Sequence, residues 1–132
     1  GAVKFAQVSV LAGMGYSKET INREVALCEL VCANCHRVRT CTRLGKRKSR
    51  NKFRERLREF AQEQKQRPCA DCGGVFPPCA MDFDHIDCHG VPIGFLVNQN
   101  VSVTRVIEEM ARCEVVCANC HRIRTARRAG RL

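Results

Sequence analysis

A short stretch rich in metal ligands occurs twice in this chain, and it constrains the possible folds more than any other feature. The copies occupy positions 28–40 and 113–125, as Cys-Glu-Leu-Val-Cys-Ala-Asn-Cys-His-Arg-Val-Arg-Thr and Cys-Glu-Val-Val-Cys-Ala-Asn-Cys-His-Arg-Ile-Arg-Thr. Each contains a Cys-x-x-Cys pair, followed directly by a histidine and then by arginines. The same offset of 85 positions also aligns the flanking residues, so the duplicated unit covers roughly 17–45 and 102–130.

The cysteines are more consistent with metal binding than with disulfides. The chain has 132 residues with eleven Cys, no Trp, one Tyr and six Phe, so its apolar core is thin and additional cross-links are expected. Disulfide frameworks belong to secreted chains, but no apolar run resembles a signal peptide or a membrane span. The odd number of cysteines and the close Cys-x-x-Cys spacing favour zinc.

Two such pairs in the C-terminal half predict one closed site. Cys69 and Cys72 lie in a Cys-x-x-Cys-Gly-Gly sequence that is typical of a zinc knuckle, and Cys117 and Cys120 form the second pair. Four thiolates complete a tetrahedral Zn²⁺ site and leave no position for a substrate. We therefore expect a structural zinc that contributes folding free energy.

The net charge of +10 indicates a polyanionic partner. Basic residues cluster around 37–58 and 122–131, directly after the Cys-x-x-Cys pairs, which favours a phosphate backbone, and the alternative is a solvated basic surface kept for solubility. Double-stranded DNA is the expected partner. The candidate contacts are Arg54, Arg58, Arg122, Arg124, Arg127 and Arg128.

Hydrophobic periodicity and capping residues predict the main elements. Residues 1–12 alternate weakly and indicate a strand or a buried loop. Ser17 is a good N-cap for a helix that runs to about residue 26, and the repeat predicts an equivalent helix from Ser102. Residues 50–66 have helical apolar spacing, whereas residues 79–86 alternate as a short half-buried strand that ends near His85.

A second cluster of polar residues has the composition of a catalytic site. If a strand pair packs on a helix, then Asp84, His85 and His121 converge in one cleft. A carboxylate and a neutral imidazole suit a divalent cation, while another imidazole can take a proton from water near pH 7. Asp82 shares a strand face with Asp84 and is a further candidate ligand or supporting partner. Taken one at a time, these histidines would more often be structural or surface residues.

These residues resemble the HNH endonucleases of the ββα-metal type. The resemblance rests on Asp84-His85 in a Met-Asp-Phe-Asp-His strand, on the closing Val-Cys-Ala-Asn-Cys-His-Arg, and on the preceding Cys69 pair, and it covers residues 50–128. It implies that His85 is the general base. It also implies that Asp84 and His121 hold a catalytic divalent ion, which would be Mg²⁺, Mn²⁺ or another such ion.

One position departs from the family pattern. Where the family usually has its middle asparagine, this chain has Arg112. Asn119 is the candidate substitute, with the role of orienting the loop that carries His85.

The first copy of the motif is incomplete. It has Cys32, Cys35 and His36, but no upstream Cys-x-x-Cys pair and no Asp-His strand. Either the natural protein is longer, or this half serves as a DNA-binding or dimerising accessory. In the second case Cys32 and Cys35 would form a second zinc site with uncertain partners, for which Cys28 and Cys41 are candidates.

The sequence therefore predicts an α+β protein with a small zinc-stabilised ββα-metal (HNH or His-Me finger) core and additional helices. The expected domains are an incomplete half-unit at 1–44, a basic linker and amphipathic helix at 45–67, and a complete nuclease unit at 68–132. The expected function is metal-dependent cleavage of DNA in the cytoplasm of a bacterium or a phage-infected cell, without a membrane and with a homodimer left open.

Two alternatives remain at this point. One is a zinc-stabilised module that binds nucleic acid without cutting it. The other is a thiol-redox protein, which the lack of a thioredoxin-like βαβ pattern disfavours.

Overall fold

The computed structural model describes residues 5–45, 49–87 and 89–132. Residues 46–48, in the centre of the expected basic linker, therefore lie outside the described part. The chain divides into two compact units, Gly1–Val31 and Cys32–Leu132. None of the helices in the described residues has the length and apolar character needed to cross a bilayer.

The first unit contains two helices, α1 at Val8–Gly13 and α2 at Lys18–Ala26. The Ser17 side chain accepts a hydrogen bond from the amide of Thr20, as its predicted N-cap role requires. The expectation of a strand or loop over residues 1–12 was wrong for residues 8–12, which belong to α1, and residues 1–4 lie outside the described chain. Helix α1 buries the Leu11 side chain almost completely. A strand with weak alternation would not be expected to bury a single residue so fully.

The second unit contains the remaining helices and the only sheet in the described chain. The helices are α3 at Ala33–Leu44, α4 at Lys52–Glu63, α5 at Ile93–Asn98, α6 at Val103–Met110 and α7 at Ala118–Arg128. A 3-10 turn at Pro78–Ala80 precedes β1, Met81–His85, which pairs antiparallel with β2, Cys113–Cys117. The described chain is therefore mixed helix and small sheet, as expected for an α+β protein.

Side chains alternate between the two faces of the hairpin. The register places Phe83 opposite Val115 and Asp84 opposite Glu114. Phe83 faces a core cluster built by α4, α5 and α6. The opposite face carries Asp82 and Asp84 and is covered by α7. Because neighbouring strand residues point in opposite directions, β1 presents carboxylates to α7 and apolar groups to the other helices.

Helix α4 is shorter than predicted, and helix α5 was not predicted. The amphipathic helix predicted over residues 50–66 is shorter, since Asn51 caps α4 by accepting from the Arg54 amide and the helix ends at Glu63. Of the apolar residues at helical spacing, Leu57 and Ala61 are buried, whereas Phe53 is exposed. Before Ser102, α5 buries Ile93, Leu96 and Val97 against α4 and α6.

The helix that follows the first motif belongs to the second unit by its packing. Although the repeat places α3 in the N-terminal half of the duplication, α3 contacts the 3-10 turn and α7. Residues 32–40 of the first copy thus lie in the same compact unit as the second copy.

Candidate metal centre and the acidic cluster beside it

Four cysteine sulfurs converge where the loop before β1 meets the start of α7. One ligand atom from each of Cys69, Cys72, Cys117 and Cys120 lies within 4.8 Å of all the others. Sulfurs bound about 2.3 Å from one Zn²⁺ would be roughly 3.8 Å apart in a tetrahedron, so a small contraction completes the site. This cluster can hold a metal such as zinc, which is the site that the two Cys-x-x-Cys pairs predicted.

Backbone amides prepare this cluster for thiolates. The Cys117 amide donates to the Cys69 sulfur over 3.2 Å, and the Cys120 amide donates to the Cys117 sulfur over 3.5 Å. Burial of Cys69 opposes its ionisation, but amide hydrogen bonds from Cys72, Cys117 and Asp71 outweigh it and lower the pKa of Cys69 to about 6. The amide hydrogen bonds thus favour the metal-binding thiolate at Cys69, whereas burial and then hydrogen bonds with the neighbouring cysteines raise the pKa of Cys120.

On the face of β1 that α7 covers, two carboxylates flank His121. The His121 Nδ1 lies 2.9 Å from Asp82 Oδ2, and its Nε2 lies 3.5 Å from Asp84 Oδ1. His121 occupies the first turn of α7 directly after Cys120, so the cysteine cluster determines where this imidazole lies. The structure therefore brings together Asp84 and His121 as predicted, with Asp82 as the residue that orients the ring.

Asp84 is also the centre of an ion-pair network. Arg128 donates to both carboxylate oxygens over 2.8 Å, and Arg124 donates to Oδ2 over 3.0 Å. Arg124 also binds Asp71 of the Cys69 knuckle and Glu114 of β2. The Asp84 side chain is only 5% exposed, so burial opposes ionisation, and the arginine hydrogen bonds hold its pKa below the usual value.

The Asp84 carboxylate and the His121 imidazole suit a small divalent cation, both in the type of ligand atom and in their separation. Two ligand atoms about 2.1 Å from one ion lie roughly 3 to 3.5 Å apart, which matches the separation between Asp84 and His121. The charge balance is less favourable, because two guanidinium groups already neutralise Asp84. A cation bound by Asp84 must therefore displace Arg124 or Arg128 from at least one oxygen.

The expectation that His85 joins Asp84 and His121 in one cleft was wrong, because His85 lies on the opposite face of β1 and pairs with a buried carboxylate. Its Nε2 lies 2.8 Å from Glu109 Oε1, and Glu109 on α6 is 1% exposed. The Val91 amide donates to the same oxygen over 3.1 Å, and the His85 hydrogen bond holds the Glu109 pKa below its usual value. Gly90 packs directly on this pair, since a Cβ there would lie 2.3 Å from His85 Nε2.

Sequence reasoning missed Glu109 as a site residue. The available signal was the repeat, because Glu109 corresponds to Glu24, and Glu24 is also a buried carboxylate that accepts from a backbone amide, that of Phe5. A glutamate that recurs on the buried side of two equivalent helices is a better candidate for a structural or functional partner than an ordinary surface charge.

The loop after His85 is held by a residue other than the one expected. Arg112 donates to Asp87 over 2.6 Å and to the His89 carbonyl over 3.3 Å, and its own carbonyl accepts from the Ile86 amide. Arg112 therefore ties down the segment that Asn119 was expected to orient. The Asn119 side chain accepts instead from the Asn34 amide on α3 over 3.3 Å.

The two copies of the motif hold each other. The Asn119 amide donates to the Asn34 side chain over 3.0 Å, reciprocating the bond from the Asn34 amide. Arg37, the residue directly after His36, donates to Asp82. Burial opposes ionisation of Asp82, but hydrogen bonds from Arg37 and His121 keep its pKa below the usual value. Helix α3 thus supports the carboxylate that orients His121.

The predicted nucleic-acid-binding arginines differ in availability. Arg122 and Arg127 on α7 are exposed, whereas Arg124 and Arg128 are engaged with acidic side chains. On α4, Arg58 donates to Asn98 over 2.8 Å, and Arg54 is partly buried. The exposed pair on α7 therefore remains the better candidate for phosphate contacts.

The N-terminal pair, Cys32 and Cys35, gathers no third ligand among residues 5–45, 49–87 and 89–132. The Cys32 sulfur accepts from the Cys35 amide over 3.5 Å, and this bond and one from Asn119 lower the Cys32 pKa to about 7. Within the second unit, Cys41 lies beside Cys79, whose pKa is raised by burial and then by that neighbour. The second zinc site therefore stays a prediction.

Comparison of the chain with models of protein families, with curated proteins and with solved structures finds no match.

Proposed function

We propose that this protein is a zinc-stabilised, metal-dependent DNA endonuclease of the HNH type. One observation carries the proposal. In a β-β-α arrangement formed by β1, β2 and α7, Asp84 and the His121 imidazole are 3.5 Å apart, directly beside a four-cysteine cluster. In this proposal the arrangement is a ββα-metal core in which the cysteines hold a structural zinc.

Asp84 and His121 would hold the catalytic ion. Bound there, a divalent cation supplies charge stabilisation for the phosphoryl group and for the departing oxygen of a phosphodiester. Asp82 accepts from His121 Nδ1 and so directs Nε2 towards Asp84, as metal-ligating histidines commonly require. Arg124 and Arg128, which bind Asp84 here, would have to release an oxygen to such an ion, and their positive charges would then favour an anionic substrate.

His85 would act as the general base. It follows Asp84 at the end of β1 with its imidazole on the opposite face, so a phosphodiester would have to pass around this strand end to meet both residues. In that role the proton acceptor would be Nδ1, the ring nitrogen that does not bind Glu109. Glu109 holds the imidazole by Nε2 and stabilises its protonated form, which assists removal of a proton from the attacking water. Arg122 and Arg127 would contact phosphates and provide affinity without sequence information.

Cleavage of supercoiled plasmid by zinc-loaded protein tests this proposal. With Mg²⁺ or Mn²⁺ the wild type should give nicked circles, and His85→Ala should lose at least about 100-fold in rate, as expected for removal of a general base. His36→Ala is the matched control, because His36 is an exposed histidine outside the acidic cluster, and it should keep the wild-type rate. Equal rates for wild type and His85→Ala, or no cleavage by either, would refute the nuclease proposal.

One observation favours a second candidate, a zinc-stabilised module that binds nucleic acid without cutting it. Asp84 already receives three hydrogen bonds from Arg124 and Arg128, so the cluster is neutralised without a cation. In that function these residues only brace α7 against the sheet. A band shift that weakens with salt, without cleavage under any divalent ion, would be its result.

A further inference from the structure

The N-terminal Cys-x-x-Cys pair has the same local geometry as the pair in the metal cluster. Cys32 caps α3 with φ −69° and ψ 164°, and Cys117 caps α7 with φ −74° and ψ 159°. In each case the sulfur accepts from the amide of the second cysteine over 3.5 Å. Each helix therefore begins with the same two-thiol arrangement.

The two arrangements differ in what covers them. On α7 the sulfurs face the Cys69 pair, which supplies the third and fourth ligands. On α3 no second cysteine pair covers the equivalent face in the described chain. The five residues that correspond, through the offset of 85 positions, to Cys117, Cys120, His121, Arg124 and Arg128 are all exposed: Cys32, Cys35, His36, Arg39 and Arg43. Half of a metal site is thus present at the surface, with no third ligand within reach in the described chain.

We propose that Cys32 and Cys35 bind a Zn²⁺ ion that is shared with the same two cysteines of a second copy of this chain. Zinc in protein sites without an open position takes four ligands in a tetrahedron, and two copies supply two sulfurs each. The contact is isologous, because the same surface of each copy meets its counterpart around a two-fold axis.

A second copy of this chain is the partner that we favour, because other thiols of the second unit are already engaged and because the charge at the contact would be favourable. Within the second unit, Cys41 is engaged with Cys79, and the Cys69 and Cys117 pairs are used in their own cluster. Two chains of net charge +10 repel each other, but four thiolates around one Zn²⁺ leave a charge of −2 at the contact. That charge lies next to basic side chains of α3 from both copies, and it reduces the repulsion where they meet.

Zinc content and mass in solution test the proposal together. The full chain is purified with a phosphine reductant that prevents disulfides, loaded with Zn²⁺, and freed of loosely bound ion by a weak chelator. Light scattering coupled to size exclusion should show a dimer that contains about 1.5 zinc ions per chain, one in each four-cysteine cluster and one shared. Stronger chelation that removes the shared ion should return the monomer.

Paired variants identify the ligands. Cys32→Ser with Cys35→Ser should give a monomer with about one zinc per chain and unchanged helical circular dichroism. Cys28→Ser with Cys41→Ser is the matched control, and it should keep both the dimer and the shared ion.

Three results would overturn the proposal. One is a monomer with about one zinc per chain, which would mean that α3 binds no metal. A second is a monomer with about two zinc ions per chain, which would mean that the ligands come from within one chain. The third is a dimer that dissociates on reduction but not on chelation, which would identify a disulfide.

Discussion

Asn34 and Asn119 each accept a hydrogen bond from the backbone amide of the other, at 3.0 Å and 3.3 Å respectively. These residues occupy the same position in the two copies of the repeat, at the first turns of α3 and α7. The duplicated motif therefore binds itself within one chain, and this contact places α3 where Arg37 can reach Asp82. A half-copy that carries no Asp-His strand still supports the complete copy.

Removal of the Asn34 side chain should destabilise the second unit. Asn34 is 4% exposed, and its loss leaves the Asn119 amide without its acceptor. Asn34→Ala should lower the free energy of unfolding by about 1–3 kcal/mol, measured by urea denaturation. Asn34→Asp keeps an acceptor oxygen in the first turn of a helix and should lose far less. Equal losses in the two variants would contradict this role.

Metal removal should unfold the second unit. The buried core of this unit is small, and its sheet has only two strands, so the cysteine cluster holds together segments that would otherwise separate. Binding of a structural Zn²⁺ contributes on the order of 10 kcal/mol at neutral pH, which exceeds the stability of a small domain. Chelation under reducing conditions should therefore abolish the cooperative thermal transition measured by circular dichroism.

Serine substitution tests which cysteines are responsible. Cys72→Ser should have the same effect as chelation, whereas Cys41→Ser should leave the transition in place, since Cys41 lies outside the cluster. An unchanged transition in Cys72→Ser would show that this cluster does not hold the fold together.

Glu109 should affect catalysis more than stability through its hydrogen bond with His85. Glu109→Gln keeps an acceptor of similar shape but removes the negative charge that favours a protonated imidazole. The rate of plasmid cleavage should fall by about 10- to 100-fold at neutral pH, with little change in Km.

The neighbouring residue supplies the control for this test. Glu108 is 60% exposed and makes no contact with His85 among its described interactions, so Glu108→Gln should keep the wild-type rate. Retention of full activity by Glu109→Gln would show that His85 needs no carboxylate partner.

Gly90 should tolerate no side chain. A Cβ at this position would lie 2.3 Å from His85 and 2.4 Å from Glu109, and its φ of +151° strains any L-residue. Gly90→Ala should lower the free energy of unfolding by about 1–3 kcal/mol. Gly94→Ala is the matched change, since nothing lies within 4 Å of that Cβ, and it should be neutral or stabilising. Equal melting temperatures for the two variants would disprove the close packing.

Local features of the sequence were sufficient to predict the capped helices and the cysteine cluster. Ser17 and Ser102 cap α2 and α6, as the repeat indicated, and the two C-terminal Cys-x-x-Cys pairs meet as expected. Both predictions depend on spacing along the chain, which the sequence displays directly.

Features that depend on long-range contacts were not predictable in the same way. The pairing of Arg124 and Arg128 with Asp84 depends on how α7 lies across β1, and a run of arginines reads equally well as a DNA-binding surface. The partner of His85 lies 24 residues away on α6, so only the recurrence of the glutamate pointed to it. Helix α5 has no capping side chain that would mark its start in the sequence.

In the proposed mechanism Asp84 holds a divalent cation during DNA cleavage. The decisive measurement is the rate of cleavage of a defined duplex as a function of Mg²⁺ concentration, compared among the wild type, Asp84→Asn and Asp87→Asn. Asp87 is a half-exposed carboxylate that pairs with Arg112, so its variant controls for loss of a nearby negative charge. We predict that Asp84→Asn shows no saturable activation by Mg²⁺ while Asp87→Asn follows the wild-type curve. A folded Asp84→Asn protein with the wild-type curve would contradict the account, because Asp84 would then be only the partner of two arginines.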